Sequence, residues 1–527
     1  MSPTHERWTP RFHLAPRQGW LNDPNGLCQF HGTYHVFYQA APAWPASGKK
    51  GWGHFASRDL VRWEDLGEPL VPSIPEDADG VYSGSALVVA GGAPDGGDLL
   101  RLYYTGNVKY EGDHIHNGRD ANQIMVTSED GISLSEKKVL LRPKDYPSDL
   151  TRHVRDPKVW EQGGRYYMVL GARRSDDVGD VLLYESSDAV EWAYRGRIES
   201  RHPFGYMWEC PNVIQVDGHD YIVVCPQGLP SEPTRWQNLY QAGYFPLPRG
   251  ILATTQVDET SFVELDWGFD FYAPQVFKDE KGRCILIGWM GMPDADYTSA
   301  PDGLAWCHCL TVPREVTVGE NGLLRQWPVT EIDGLRGFAE PVSPSAGAIL
   351  PHHCADIELL GIEGNLEMGL DGQLELSFSA SEGLLRMAFA DEKAASGRTE
   401  RVLPLAALHE LRVLVDGSAV EVYVNHGEEV LSTRWFPTAD TLLVTLHASC
   451  ESARSWEMSG EPPRVARWAP GTWRPKATFE QAFLNSLRPG VILSPERLLC
   501  THLLPIRPFR RQTAAPHPLR VRNPHGR

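Results

Sequence analysis

The chain reads as an all-β protein: a five-bladed β-propeller followed by an antiparallel β-sandwich. Three observations predict this. A loose unit recurs five times in the first 315 residues or so. Strict period-two alternation takes over further along, and helical periodicity is scarce throughout. Trp, Tyr, Gly and Pro are plentiful, as many short strands joined by turns require.

Each recurring unit opens on a polar or turn-prone stretch, followed by an apolar strand, a glycine turn and a second apolar strand. The openings are Asp23-Pro24-Asn25, Ser83-Gly84-Ser85, Asp156-Pro157-Lys158, Glu209-Cys210-Pro211 and Ala273-Pro274-Gln275. They stand roughly 50 to 75 residues apart. Four-stranded units of about 40 to 50 residues, plus insertions, are the sequence mark of propeller blades. In that architecture the first strand of each blade lines the central channel. Asp23, Asp156 and Glu209, far apart along the chain, would then face one another at one mouth. Taken alone, Trp20-Leu21-Asn22-Asp23-Pro24-Asn25-Gly26 reads as a β-turn, because Pro24 fixes its own φ and Asn25-Gly26 favours a turn. The recurrence gives it a second meaning.

Residues 8–335 are assigned to the propeller. Trp327 to Pro344 reads as a linker, and residues 345–460 as the sandwich. There the clearest hairpin is Leu411–Val415, turn Asp416-Gly417-Ser418, Val420–Val424, with a further turn at Asn425-His426-Gly427. Residues 470–527, rich in Pro, Arg, Leu and His, read as a poorly ordered basic extension.

The 527 residues carry a net charge of −18, which argues against a nucleic-acid partner. The N-terminal stretch has no apolar signal core, and no apolar run is long enough to span a membrane. Nine scattered cysteines do not form a disulfide framework. A cytoplasmic protein with reduced thiols is expected, without a membrane partner.

Two carboxyl groups flanking a sugar can cleave a glycosidic bond, one as nucleophile and one as acid and base. The acid must hold its proton near neutral pH, which calls for burial and a neighbouring negative charge. A third carboxylate can bind ring hydroxyls. Trp20, Trp52, Tyr82, Trp208 and Tyr272 are the aromatics placed to floor such a site. Cys210 beside the acid reads as a packed thiol. Cys307-His308-Cys309 offers two thiols on one strand face without further ligands nearby, too few for a metal. His114-Ile115-His116 reads as a solvated loop.

Trp20 to Gly26, Arg155-Asp156-Pro157 and Glu209-Cys210-Pro211 together resemble the three signature motifs of glycoside hydrolase family 32, the β-fructofuranosidases. Further matches follow in order: Gln39 with Trp52-Gly53-His54, Ser83-Gly84-Ser85, Asp270 to Gln275, Gly288-Trp289-Met290 and Pro313-Arg314-Glu315. Val415 to Ser418 and Glu421 to Asn425 resemble that family's second domain. A histidine at 308, where a small glycine is usual, departs from the pattern.

The resemblance implies a propeller followed by a sandwich, and retention of configuration through a covalent fructosyl-enzyme. Asp23 would be the nucleophile, Glu209 the acid and base, and Asp156 the stabiliser of the transition state. Asn22, Gln39, Trp52, Tyr82, Ser83, Arg155 and Tyr272 would bind the substrate. The expected partner is a small sugar: sucrose, its 6-phosphate or a short fructooligosaccharide. No metal or organic cofactor is implied, and a monomer or homodimer is expected. A fructosyltransferase or a non-catalytic sugar-binding protein would use the same residues. A retaining pair should stand about 5 to 5.5 Å apart.

Overall fold

Alternation and turn chemistry give an almost wholly β chain. The computed structural model describes residues 3–295, 301, 303–390 and 397–466, all within one compact body. The expected basic extension lies outside the described residues. Helix is confined to Pro3–Trp8 and a few single 3-10 turns, and strands make up seven sheets. Among the described residues no helix is long and apolar enough to cross a membrane.

Five sheets of four to six strands come first. Their opening strands are β1 (Gly19–Phe30), β2 (Gly80–Val89), β3 (Leu150–Gln162), β4 (Met207–Val216) and β5 (Tyr272–Lys278). Each lies against the next, and β5 lies against β1, so the five opening strands form a closed ring. Parallel pairing of Trp306–Cys307 with Gly19–Trp20 stitches a later segment onto β1.

The turn-prone openings are not turns. They lie inside strands, as β-bulges. The ladder register slips between Leu21 and Pro24 in β1, between Val81 and Gly84 in β2, and between Arg155 and Lys158 in β3. It slips again between Glu209 and Asn212 in β4 and between Tyr272 and Gln275 in β5. A bulge tolerates proline, which cannot donate to the ladder, and it re-aims the residue it carries. Asp156, Cys210 and Ala273 each precede a proline and each has positive φ, of 65°, 48° and 47°. For non-glycine residues that is a strained conformation, of the kind that clusters where function demands it.

Two six-stranded sheets follow and share one apolar core, with Ile357, Val413 and Val422 meeting Leu366, Leu376 and Met387. The expected hairpin is there: Glu410–Asp416 pairs with Ala419–Val424 around Gly417, whose φ is 60°. The expected linker is not. Trp327 lies in the strand Leu324–Pro328, and Arg336–Pro341 is an edge strand paired with Ser452–Met458. All its residues but Arg336 are exposed, so an edge strand looked like a connector.

A buried polar cluster joins the two halves. Asp416 accepts from the backbone N–H groups of Arg11, Phe12 and His13, at 2.6 to 2.8 Å. His13 bridges Asp416 and Glu421, each at 2.8 Å. Arg314 donates to Glu421, Asp266, Gln326 and Ser432. Pro313-Arg314-Glu315 and Glu421 thus serve assembly rather than chemistry. A buried cation and its carboxylates are tolerated because each is paired and hydrogen-bonded.

Candidate active site

The bulges of β1, β3 and β4 bring the three predicted carboxylates together around one residue, Cys210. Its thiol donates to Asp23 Oδ2 at 3.8 Å, its backbone N–H donates to Asp156 Oδ2 at 2.9 Å, and it follows Glu209 directly. The thiol itself is buried and held protonated, through Cys225 first and burial second. It packs as expected.

Asp23 is held from both sides. Ser83 Oγ donates to its Oδ2, and Asn22 Nδ2 donates to its Oδ1 at 2.9 Å. Gln39 ties these two donors together, accepting from Asn22 at 2.8 Å and donating to Ser83 Oγ at 2.9 Å. The Asn22 carbonyl accepts from Trp20 Nε1 at 3.0 Å and from Lys50 Nζ at 2.7 Å. All four bonds of that amide are made, so it has one orientation. Burial raises the pKa of Asp23, Ser83 and Asn22 pull it back, and the charge of Glu209 raises it further.

Glu209 is held by three donors. Tyr272 Oη and Gln227 Nε2 each reach Oε2 at 2.7 Å, and Arg155 reaches Oε1, from Nε at 3.1 Å and also from Nη2. Arg155 was expected to bind the substrate. It stands 3.9 Å from the Asp156 carboxylate and bonds Glu209. Asp156 lies deeper, and burial raises its pKa, with Arg155 opposing and Glu209 and Asp23 adding.

The aromatics divide. Tyr272 and Trp20 stand in the site, and Tyr82 is half-buried at its edge. Trp52 is fully enclosed between Phe37 and Tyr104. It supports the site by donating to the Tyr82 carbonyl at 3.0 Å, rather than by touching a substrate. Trp208 is a correction as well. It packs on Phe204 and Phe245 in a separate core and bonds the Phe204 carbonyl. Neighbours on a strand face opposite ways, and Glu209 takes the channel side.

Cys307 and Cys309 do not share a face. The strand breaks at His308, whose φ is 72°, and the two thiols enter different apolar clusters. His308 accepts from Trp289 Nε1 at 2.8 Å and packs on Trp20 with ring centroids 4.4 Å apart. Burial keeps it neutral. It supports the Trp20 wall where the sequence left the rim open. Among the described residues no group of three or more His, Cys, Asp or Glu side chains is arranged to hold a metal ion.

Lys50, Gln227 and His153 were not singled out from sequence. Gln227 ends the strand after β4, directly opposite Met207 in the ladder, so pairing register could have found it. Lys50 follows a Pro- and Gly-rich loop and carries no local signal.

Paired carboxylates, each with its own donors, are the arrangement that glycoside cleavage calls for. The comparisons name the family. Residues 13–328 match the glycosyl hydrolases family 32 N-terminal domain, and residues 373–458 match the family 32 C-terminal domain. The chain belongs to glycosyl hydrolase family 32. It is 38% identical over 457 residues to a sucrose-6-phosphate hydrolase of Bacillus subtilis, covering 84% of this chain and 91% of that one. It is 35% identical over 464 residues to a raffinose invertase of Escherichia coli, covering 84% and 92%. Among solved structures, sucrose-6-phosphate hydrolase from Lactobacillus gasseri matches with a TM-score of 0.76 at 29% identity, covering 86% of this chain and 94% of that one. A Bombyx mori β-fructofuranosidase mutant in complex with sucrose matches with a TM-score of 0.73 at 27% identity, covering 87% and 95%.

Proposed function

We propose that the chain is a retaining β-fructofuranosidase. It removes the terminal β-D-fructofuranosyl unit from sucrose, sucrose 6-phosphate or a short fructooligosaccharide. The observation that carries this reading is the meeting of Asp23, Asp156 and Glu209 around Cys210. The names of the relatives agree with it. The five opening sheets are read as the blades of a five-bladed propeller spanning about residues 8–335, with a β-sandwich over 345–460; the closed ring of β1 to β5 supports this.

Asp23, aligned by Asn22 and Ser83, attacks the anomeric carbon of the fructosyl unit. Glu209 gives its proton to the departing oxygen. Esterification removes one negative charge from the pocket and leaves Glu209 as the base for the incoming water. Asp156 binds ring hydroxyls and stabilises positive charge developing on the ring. Tyr272 and Arg155 hold Glu209 in place, and Gln39 holds the two donors to Asp23.

The test is to trap the intermediate. Glu209→Gln, given a fructoside with an activated leaving group, accumulates a protein adduct of one fructosyl mass. Asp23→Asn forms no adduct and loses nearly all turnover while its far-UV spectrum is unchanged. Wild-type turnover in Asp23→Asn would refute the assignment.

A further inference from the structure

A second set of charges stands beside Glu209, and the chemistry above does not use it. The strands Leu99–Lys109 and Arg119–Ser128 form a hairpin that reaches the start of β3. The Arg152 N–H donates to the Ile115 carbonyl at 2.7 Å, and Arg152 pairs with Asp120 at 3.4 Å, which pins the hairpin there. In the loop at its tip, His114 and Ile115 are half-buried, while His116 is exposed as expected. The docking brings Arg119 Nη1 to 3.2 Å from His153 Nδ1, while Arg155 Nη1 approaches the same nitrogen at 2.6 Å.

An imidazole that accepts must be neutral. Burial, with Arg155, Arg119 and Arg173 around it, brings the pKa of His153 down to about 2. A neutral ring offers one acceptor lone pair, and two guanidiniums compete for it. Arg155 also has Glu209. Arg119 has no carboxylate partner among the described residues, and its Nε is buried without a hydrogen-bond partner. Burial and Arg155 act against its charge and outweigh Tyr82 and Glu209, which favour it. A partly buried guanidinium left with one shared acceptor is costly unless an anion completes it. In a chain of net charge −18, acidic partners were not scarce. The position matters too. Arg119 is linked through His153 and Arg155 to Glu209, on the side of the departing sugar. Asp23 is served by a separate set of donors, Asn22, Gln39 and Ser83.

We propose that Arg119, backed by His153 and flanked by Arg155, binds a phosphate carried by the leaving sugar and makes the enzyme selective for a phosphorylated β-fructofuranoside. The proposal rests on the assignment of Glu209 to the leaving oxygen. The planar fork of arginine suits two phosphate oxygens at once.

The test compares kcat/KM on sucrose 6-phosphate and on sucrose, for wild type, Arg119→Gln and Arg119→Lys. Wild type favours the phosphorylated sugar. Arg119→Gln lowers the ratio of the two constants about 10- to 150-fold, the worth of a charged hydrogen bond. Arg119→Lys keeps part of the preference, as a point charge without the fork. Inorganic phosphate competes with sucrose 6-phosphate in wild type and less well in Arg119→Gln. Cleavage of sucrose by the variant reports that the fold and the centre stand. Equal losses on both sugars, or a wild-type ratio near one, overturn the phosphate site alone. A wild type that cleaves neither sugar overturns the fructosidase reading and this proposal with it.

Discussion

Replacing Lys50 by Met should slow the enzyme and change its response to pH. The Lys50 ammonium donates to the Asn22 carbonyl at 2.7 Å and lies over the Trp20 ring, 4.9 Å from its centroid. Asn22 in turn donates to Asp23 at 2.9 Å. Burial lowers the pKa of Lys50 to about 7, although Asp23 and Cys307 both raise it. The ammonium is therefore complete below that pH and is lost above it. Asp23, with its pKa raised, must ionise before it can attack. Wild-type kcat/KM should thus climb as Asp23 ionises and fall through about pH 7 as Lys50 loses its proton. Methionine keeps most of the length and apolar bulk of the side chain, but removes the ammonium over Trp20 and frees one lone pair of Asn22. A hydrogen bond to a charged group is worth about 1.5 to 3 kcal/mol, so kcat/KM should drop about 10- to 150-fold at acidic pH. The part of the alkaline fall that follows Lys50 should vanish from the variant's profile, leaving only the limb that the general acid imposes. The assay is initial-rate hydrolysis of sucrose from about pH 4.5 to 9, with kcat and KM separated. A variant with wild-type kcat/KM and an unchanged alkaline limb would refute the role given to Lys50.

Other outcomes follow from the same geometry. Tyr272→Phe removes one 2.7 Å donor from Glu209 and should lower kcat about tenfold or more with little change in KM; equal kcat in the two proteins would count against a positioning role. For His13, burial pushes the pKa down, but Asp416 and Glu421 carry it from 6.5 up to about 9. A group raised in this way stabilises the fold fully below its unfolded value and loses that contribution as pH rises through the folded one. The shift corresponds to about 3 kcal/mol. The stability gap between wild type and His13→Gln should shrink by that much between about pH 6 and pH 10, read from chemical denaturation. A gap indifferent to pH would contradict the pairing.

Much of this was legible in the sequence, for physical reasons. A unit that must bury its apolar strands against its neighbours repeats, and repetition placed Asp23, Asp156 and Glu209 at equivalent points. Period-two alternation placed the hairpin of residues 410–424 within a residue at each end. The bulges escaped notice because Pro and Asn-Gly inside a strand carry the same local signal as a turn. Trp208 was assigned to the wrong side although strand alternation opposes it to Glu209. Arg336–Pro341 was lost because an exposed edge strand is composed like a loop. Lys50, and the pairing of Arg155 with Glu209 rather than Asp156, depend on contacts across loops, which no local pattern encodes.

The five bulges have a wider consequence. On either side of each slip the ladder keeps its pairing, so Asp23 and Asp156, which stand at slips, reach the pocket without holding the strands together, while Glu209 borders its slip and stays paired with Cys225. What stands at these places is therefore free to vary while the framework stays the same. Three of the five, those of Ser83, Cys210 and Ala273, carry no carboxylate. A descendant that adapted to a different sugar could record the change there first, with its strands undisturbed.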